Sequence, residues 1–237
     1  MSLLSVIQDH CKLHALNVPS GVIGSTDTTV VQLFAVLNDV LEDLVTESKF
    51  NVTTQEATFT STASEDQGAL STLAPSGYQW IIPNTIYDRT LGRPVYGPVS
   101  EADWQALKAL PNPGPFYKYR IKNDRFLMNP TPTSPFSTIA FEYMSSWCVT
   151  DSGGTLKAAL TDDTDLFVFP EAILKLGLAF RWKQINGLPY QADETAYYNR
   201  LNNYISRDKV PTSIYADRTS TPGIQPGIYI PSGNWFS

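Results

Sequence analysis

Residues 170–187 read PEAILKLGLAFRWKQING, and this stretch constrains the fold more than any other. Pro170 suits the first helical position and Gly187 suits a C-terminal stop. Between them Ile173, Leu174, Leu176, Leu178, Phe180, Trp182 and Ile185 leave almost no polar face. A helix that is apolar on nearly every side must be surrounded. Gly177 and Ala179 are small enough to let neighbouring helices approach closely.

Three other segments offer partners. Residues 190–207 carry Tyr190, Tyr197, Leu201, Tyr204 and Ile205 on one helical stripe. Residues 28–49 carry Val30, Leu33, Phe34, Leu37, Val40, Leu41 and Leu44 at near-heptad spacing, with Asp27 placed as N-cap. Residues 2–16 show helix spacing at Leu3, Val6, Ile7 and Leu13, and Pro19, Gly21 and Gly24 then make a loop.

Between the second and third helices the character changes. NVTTQEATFTST, from Asn51, alternates and is rich in β-branched residues, so it reads as a strand. Prolines then punctuate short strands at 78–82, 85–87, 116–121, 125–128 and 137–144. Asn123-Asp124 suits a hairpin turn. One helix, capped by Ser100, interrupts them at 101–110. The expected class is α+β. An antiparallel helical bundle, from residues 1–50 and 166–209, holds two N-terminal and two C-terminal helices. Residues 51–165 form an inserted β-rich lobe.

Residues 210–237 interleave Pro211, Pro222, Pro226 and Pro231 with Gly223, Gly227 and Gly233, which excludes helix and predicts an extended tail. Such a tail would reach on the order of 80 Å at ~3 Å per residue. It carries Ile214, Tyr215, Ile224, Ile228, Tyr229, Ile230, Trp235 and Phe236. Burying one such side chain is worth about 1.5–3 kcal/mol, so they call for cover. The tail either packs on its own domain or docks on another chain, and docking through Ile224, Ile228, Tyr229, Ile230, Trp235 and Phe236 is the favoured expectation.

Composition narrows the function classes. The net charge of −6 argues against tight nucleic-acid binding, which needs clustered Lys and Arg. Charged residues are only 17% and aromatics 12%, a surface suited to burial against other chains. The N-terminal MSLLSVIQDHCKLHALN is expected not to be a signal peptide, because Asp9, His10 and Lys12 interrupt its apolar run. No stretch approaches the ~18 apolar residues of a membrane span. Folding in a cytoplasm is expected.

Catalytic material is sparse, and no catalytic, cofactor or metal site is expected. His10 and His14 lie four apart and share a face, a spacing that can bind metal, but no HExxH glutamate or third ligand accompanies them. Exposed or capping roles are expected instead. TDDTD, residues 161–165, could bind calcium or supply a hydrolase acid pair, but it lacks the EF-hand spacing, so a solvated loop is expected. Phosphate-loop, dinucleotide and GxSxG motifs are absent. Cys11 and Cys148 match no metal or CxxC pattern; free buried thiols are expected, and a disulfide between them stays open. Arg181, Lys183 and Arg200 either pair with Glu171, Asp193 or Glu194 or face a neighbouring subunit.

Three phrases carry a resemblance. They are SGYQWIIPNTIYDRTLGRPVYGPVSEADWQAL, then YKYRIKNDRFLMNPTP followed by STIAFEYMSSWCV, and FPEAILKLGLAFRWKQINGLPYQADETAYYNRL. In the third, Arg181, Trp182, Lys183, Gly187, Tyr190 and Tyr197 fall at the matching places of a helical pair. In order and spacing the chain resembles the head-to-tail adaptor (connector) proteins of tailed bacteriophages, of the podovirus, tail tubular protein A-like type, over residues 28–207. The resemblance implies a dodecameric ring in the virion neck, with portal protein above and a tail nozzle or tail tube below. Genomic DNA would pass through its channel. It implies a structural virion protein, not an enzyme. The alternatives are a virion-associated peptidoglycan or glycan hydrolase using Glu142, Asp162 or Asp163, and a capsid decoration or receptor-binding protein. The apolar helix argues against the last, since such proteins are mostly β.

Overall fold

The computed structural model describes residues 1–47, 50–110 and 114–208. It is mixed α+β, with helices at both ends and several antiparallel sheets between them. Helix α1 (Leu3–Leu13) starts where Ser2 turns its hydroxyl onto the Ser5 N–H. Helix α2 (Thr28–Glu47) starts at Asp27, whose carboxylate accepts the Thr29 N–H at 2.8 Å, as the sequence predicts. Helix α5 (Glu171–Ile185) follows Pro170 and stops where Gly187 takes φ +67°. Helix α6 (Gln191–Asp208) completes the helical set.

These four helices share one apolar cluster, and α5 touches α1, α2 and α6. The predicted α2 stripe is buried from Val30 through Leu44, with Phe34 partly covered. On α1, Leu3, Val6 and Ile7 are buried as expected. Leu13, read as part of the same stripe, stands 75% exposed, while His10 and Cys11 go inside. The reason is local: at the last turn of α1 the seam against α5 is filled by imidazole and indole rings.

The middle of the chain builds three sheets. Strand β8 (Thr138–Ser145) is the spine of the largest, pairing antiparallel with β1 (Thr54–Thr60), β3 (Tyr78–Ile81) and β4 (Tyr87–Asp88); β5 (Arg93–Pro94) extends it beyond β4. Covered on both faces, β8 buries most of its residues instead of alternating. A second sheet joins β2 (Asp66–Ala69), β7 (Arg125–Asn129) and β6 (Lys118–Lys122). Asn123 and Asp124, at φ 51° and 59°, make the β6–β7 turn with the backbone that an Asn-Asp pair tolerates. Phe126 is fully buried between Tyr119 and Phe141, with ring centroids 5.3 and 6.0 Å away. Two short helices, α3 (Leu70–Leu73) and α4 (Glu101–Ala109), sit among these strands, and Ser100 caps α4 as predicted.

The third sheet sets β9 (Val149–Thr150) between β10 (Leu156–Lys157), both in the stretch read as β lobe, and β11 (Leu166–Phe167), just past its end. Its Val149, together with Cys148 and Leu160, packs into the helical cluster. Ser2 bridges to Leu166, and the Leu3 N–H donates to the Asp165 carbonyl at 2.9 Å, so this sheet also anchors the start of α1.

Gly177 is where α5 comes closest to its neighbours. A Cβ there would meet Val40 Cγ1 at 2.8 Å and Tyr197 Cε2 at 3.1 Å. Gly177→Ala should therefore destabilise the fold despite the better helix propensity of alanine. The expected loss is about 1–2 kcal/mol, a fall in Tm of ~3–6 °C, read by thermal unfolding.

Candidate functional site

Four consecutive residues of α5 reach three neighbouring helices. The Phe180 ring packs on Tyr197 of α6 at 5.0 Å. The Arg181 guanidinium pairs with Asp43 of α2. Trp182 packs on His10 and His14 of α1 at 5.2 and 5.1 Å. The Lys183 ammonium donates to Asp193 of α6 at 2.6 Å. The Lys183–Asp193 pair is among those expected from sequence. Arg181 instead finds Asp43, Glu171 is taken by Lys175, and Arg200 is exposed. Helical periodicity makes this arrangement: successive side chains turn by 100°, so four in a row face all round the axis.

His14 is the C-cap of α1, one of the expected roles, but neither histidine is exposed. His10 is 4% exposed, its ring lies 4.4 Å from that of His14, and the Nε2 atoms of both lack hydrogen-bond partners. Burial, then the charges of His14 and Lys183, push His10 down to about 4. Burial and Lys183 lower His14 too, against the opposing pull of Asp193. Among the described residues no group of three His, Cys, Asp or Glu is placed to hold a metal ion. The expectation of an exposed pair failed because α5 supplies Trp182 as a cover; His at i and i+4 facing an apolar helix was the available signal.

The TDDTD carboxylates are spent on local structure. Asp163 accepts the Val22 and Ile23 N–H groups at 3.0 and 2.9 Å, tying down the loop after α1. Asp162 accepts the Thr164 N–H and hydroxyl. Asp165, 1% exposed, holds Lys157 through both oxygens at 2.7 Å and accepts the Thr161 and Asp162 N–H groups. It is therefore a buried, fully engaged acid and not part of a solvated loop. Glu142 lies elsewhere, in an open cleft of about 570 Å³ with Glu56, Tyr87, Asp88 and Arg89. It stands directly across from Glu56 on β1, and Arg89 bonds Glu56 at 2.7 Å. Glu142 and the Asp162–Asp163 pair are thus not brought together as a catalytic pair.

Cys11 and Cys148 are free and buried, and burial raises both thiols, Cys148 to about 11. They are poor nucleophiles at neutral pH. The docking residues expected at Ile224, Ile228, Tyr229, Ile230, Trp235 and Phe236 lie outside the described residues. The chain reaches them from Asp208, which accepts the Asn51 backbone N–H at 2.5 Å and, through its carbonyl, the Asn51 amide. Asp208, the last described residue, thus sits beside Asn51, just ahead of β1. Among the described residues no helix is long and apolar enough to cross a membrane.

The ion pairs of α5 and the TDDTD carboxylates hold elements of the fold together. The SU10 adaptor protein family model matches residues 1–226, and the chain belongs to that family. It is thus a bacteriophage adaptor protein, and membership implies a structural role in the virion neck alongside other virion components. No curated protein matches the chain.

Asp165 separates structural acids from idle ones. Burial alone would raise its carboxyl, but Lys157 and the two N–H donors outweigh it and hold the pKa below 3.8. Its contribution is present above the unfolded pKa and lost as pH falls through the depressed folded value. Asp165→Ala should cost about 3 kcal/mol in urea unfolding at neutral pH, because it strands Lys157 and two N–H groups. Glu142→Ala should stay within about 0.5 kcal/mol.

Proposed function

We propose that this chain is a head-to-tail adaptor of the podovirus, tail tubular protein A-like type, a subunit of a dodecameric ring between portal and tail. The observation that carries the reading is the family match over residues 1–226. In this reading the helices of the two chain ends form an antiparallel bundle, and residues 51–165 project from it as an inserted lobe. The tail, 210–237, docks on the portal protein above, and a tail nozzle or tail tube protein docks below. The genome passes through the ring during ejection without sequence-specific binding. A net charge of −6 supports this, since a basic channel would hold each phosphate it met. Assembly takes place in the host cytoplasm.

The ring would close by one heterologous contact repeated around an axis. Exposed apolar groups support such a contact. Leu13 and Ile185 stand 75% and 57% exposed at the last turns of α1 and α5, next to where His14 meets Trp182. A monomer that orders its tail only on the portal would avoid rings forming off-pathway.

The purified chain should sediment as a monomer and form rings in electron micrographs when mixed with portal. A chain lacking residues 211–237 should stay monomeric and form no rings when mixed with portal. Rings of the truncated chain on portal would remove the tail from the mechanism. Stable rings of the pure protein would overturn portal-dependent assembly. Failure of the full chain to bind portal would overturn the function.

A further inference from the structure

The seam between the last turns of α1 and the end of α5 is built unlike the rest of the helical core. Elsewhere the contacts are aliphatic or aromatic side chains and matched ion pairs. Here two imidazoles lie against each other at 4.4 Å and against one indole at 5.2 and 5.1 Å. The Nε2 atoms of His10 and His14 and the indole Nε1 of Trp182 are all buried without hydrogen-bond partners. This packing is free of buried charge only while both imidazoles are neutral.

We propose that the His10–His14–Trp182 cluster is an acid-released latch, which lets the last turns of α1 leave α5 when the imidazoles take up protons. The charged surroundings favour release. From α5, Lys183 acts on both rings, and a proton on either would also face the other. From α6, Asp193 opposes this on His14, and it already bonds Lys183. On α1 itself, Asp9 is engaged by Lys175 of α5 and by Lys12. From α2, Asp43 is engaged by Arg181. The nearby carboxylates therefore already have cationic partners, and a new imidazolium finds no free counter-ion among these groups.

Release is confined to one end. The first turns of α1 are held by fully buried Leu3, Val6 and Ile7 and by backbone bonds from Leu3 and Leu4 to Asp165 and Asp163. The sign is fixed by linkage. His10 is depressed to about 4, and an opened His10 returns to the ordinary value of 6.5. The open form then binds more protons between these limits, so the latch is complete above about pH 6.5 and loosens as pH falls toward about 4.

The chain has only two histidines, so both imidazole C–H resonances can be followed by NMR and assigned with single variants. The His10 signal should titrate well below the ordinary range; two midpoints at the ordinary value would overturn the proposal. Amide hydrogen exchange, corrected for intrinsic rates, supplies the second readout. Between about pH 7.5 and about pH 4.5, exchange should rise by about tenfold or more in residues 10–14 and stay level in α6. The double variant His10→Phe, His14→Phe should lose that rise. An equal rise in α6, or a rise retained in the variant, would show general acid loosening and sink the latch. If the variant does not fold, the titration and the α1-against-α6 comparison in the native chain decide the question.

Discussion

The close passage of α2 and α6 over Gly177 of α5 sets the geometry on which the helical half depends. With Val40 and Tyr197 already at contact distance from that backbone, α5 has no room for a side chain there and no freedom to rotate. The following turn then fixes each neighbour separately, through Phe180, Arg181, Trp182 and Lys183. Hydrophobic burial brings these helices together but is not directional. The specific contacts of this one turn select which face of each neighbour meets α5. Because α2 and α5 are separated by the whole middle of the chain, their pairing closes a very long loop. Loop entropy grows only with the logarithm of length, so a large folded insertion costs little more than a short one. That is the physical licence for placing all the sheets between two helices that touch.

The sheets solve a different problem. Their strands are short, and several are only two residues long. Strand β8 compensates by pairing on both edges along its length, with β1 on one side and β3 and β4 on the other. Phe126, Phe141, Tyr119 and Tyr143 fill the space behind it with packed rings. The direct opposition of Glu56 and Glu142 is a cross-strand repulsion that packing would not choose, and Arg89 moderates it from the neighbouring turn.

Legibility in the sequence followed the length of the signal. Helices α1, α2, α5 and α6 declare themselves through several turns of periodicity and through Asp27, Pro170 and Gly187 at their ends. The β6–β7 hairpin declares itself through Asn123-Asp124. The strands β5, β9, β10 and β11 span two residues each, too few for an alternation to exist, and their pairing is decided wholly by tertiary neighbours. The same limit hid Asp165. A carboxylate in a TDDTD run looks solvated until a lysine eight residues back and the turn around it supply its partners. The roles of His10 and His14 were hidden for the converse reason, since their environment is made by Trp182, far away in sequence.

Where polar groups are satisfied and where they are not bears on how such a protein can change. Asp162, Asp163 and Asp165 each accept at least two hydrogen bonds, which hold the loops around them. The unsatisfied buried atoms are distributed unevenly. Of the seven found among the described residues, His10 Nε2, His14 Nε2, Arg181 Nε and Trp182 Nε1 belong to the contacts of α5 with α1 and α2. Each such atom forfeits about 1–3 kcal/mol that a partner or water would return. Opening this seam regains hydration for several of them at once, which offsets part of the apolar surface exposed. The helical core is thus tightest in backbone approach at Gly177 and richest in unpartnered polar atoms one turn later. The exposed Leu13 and Ile185 lie at the same end of the helical set, on the last turns of α1 and α5.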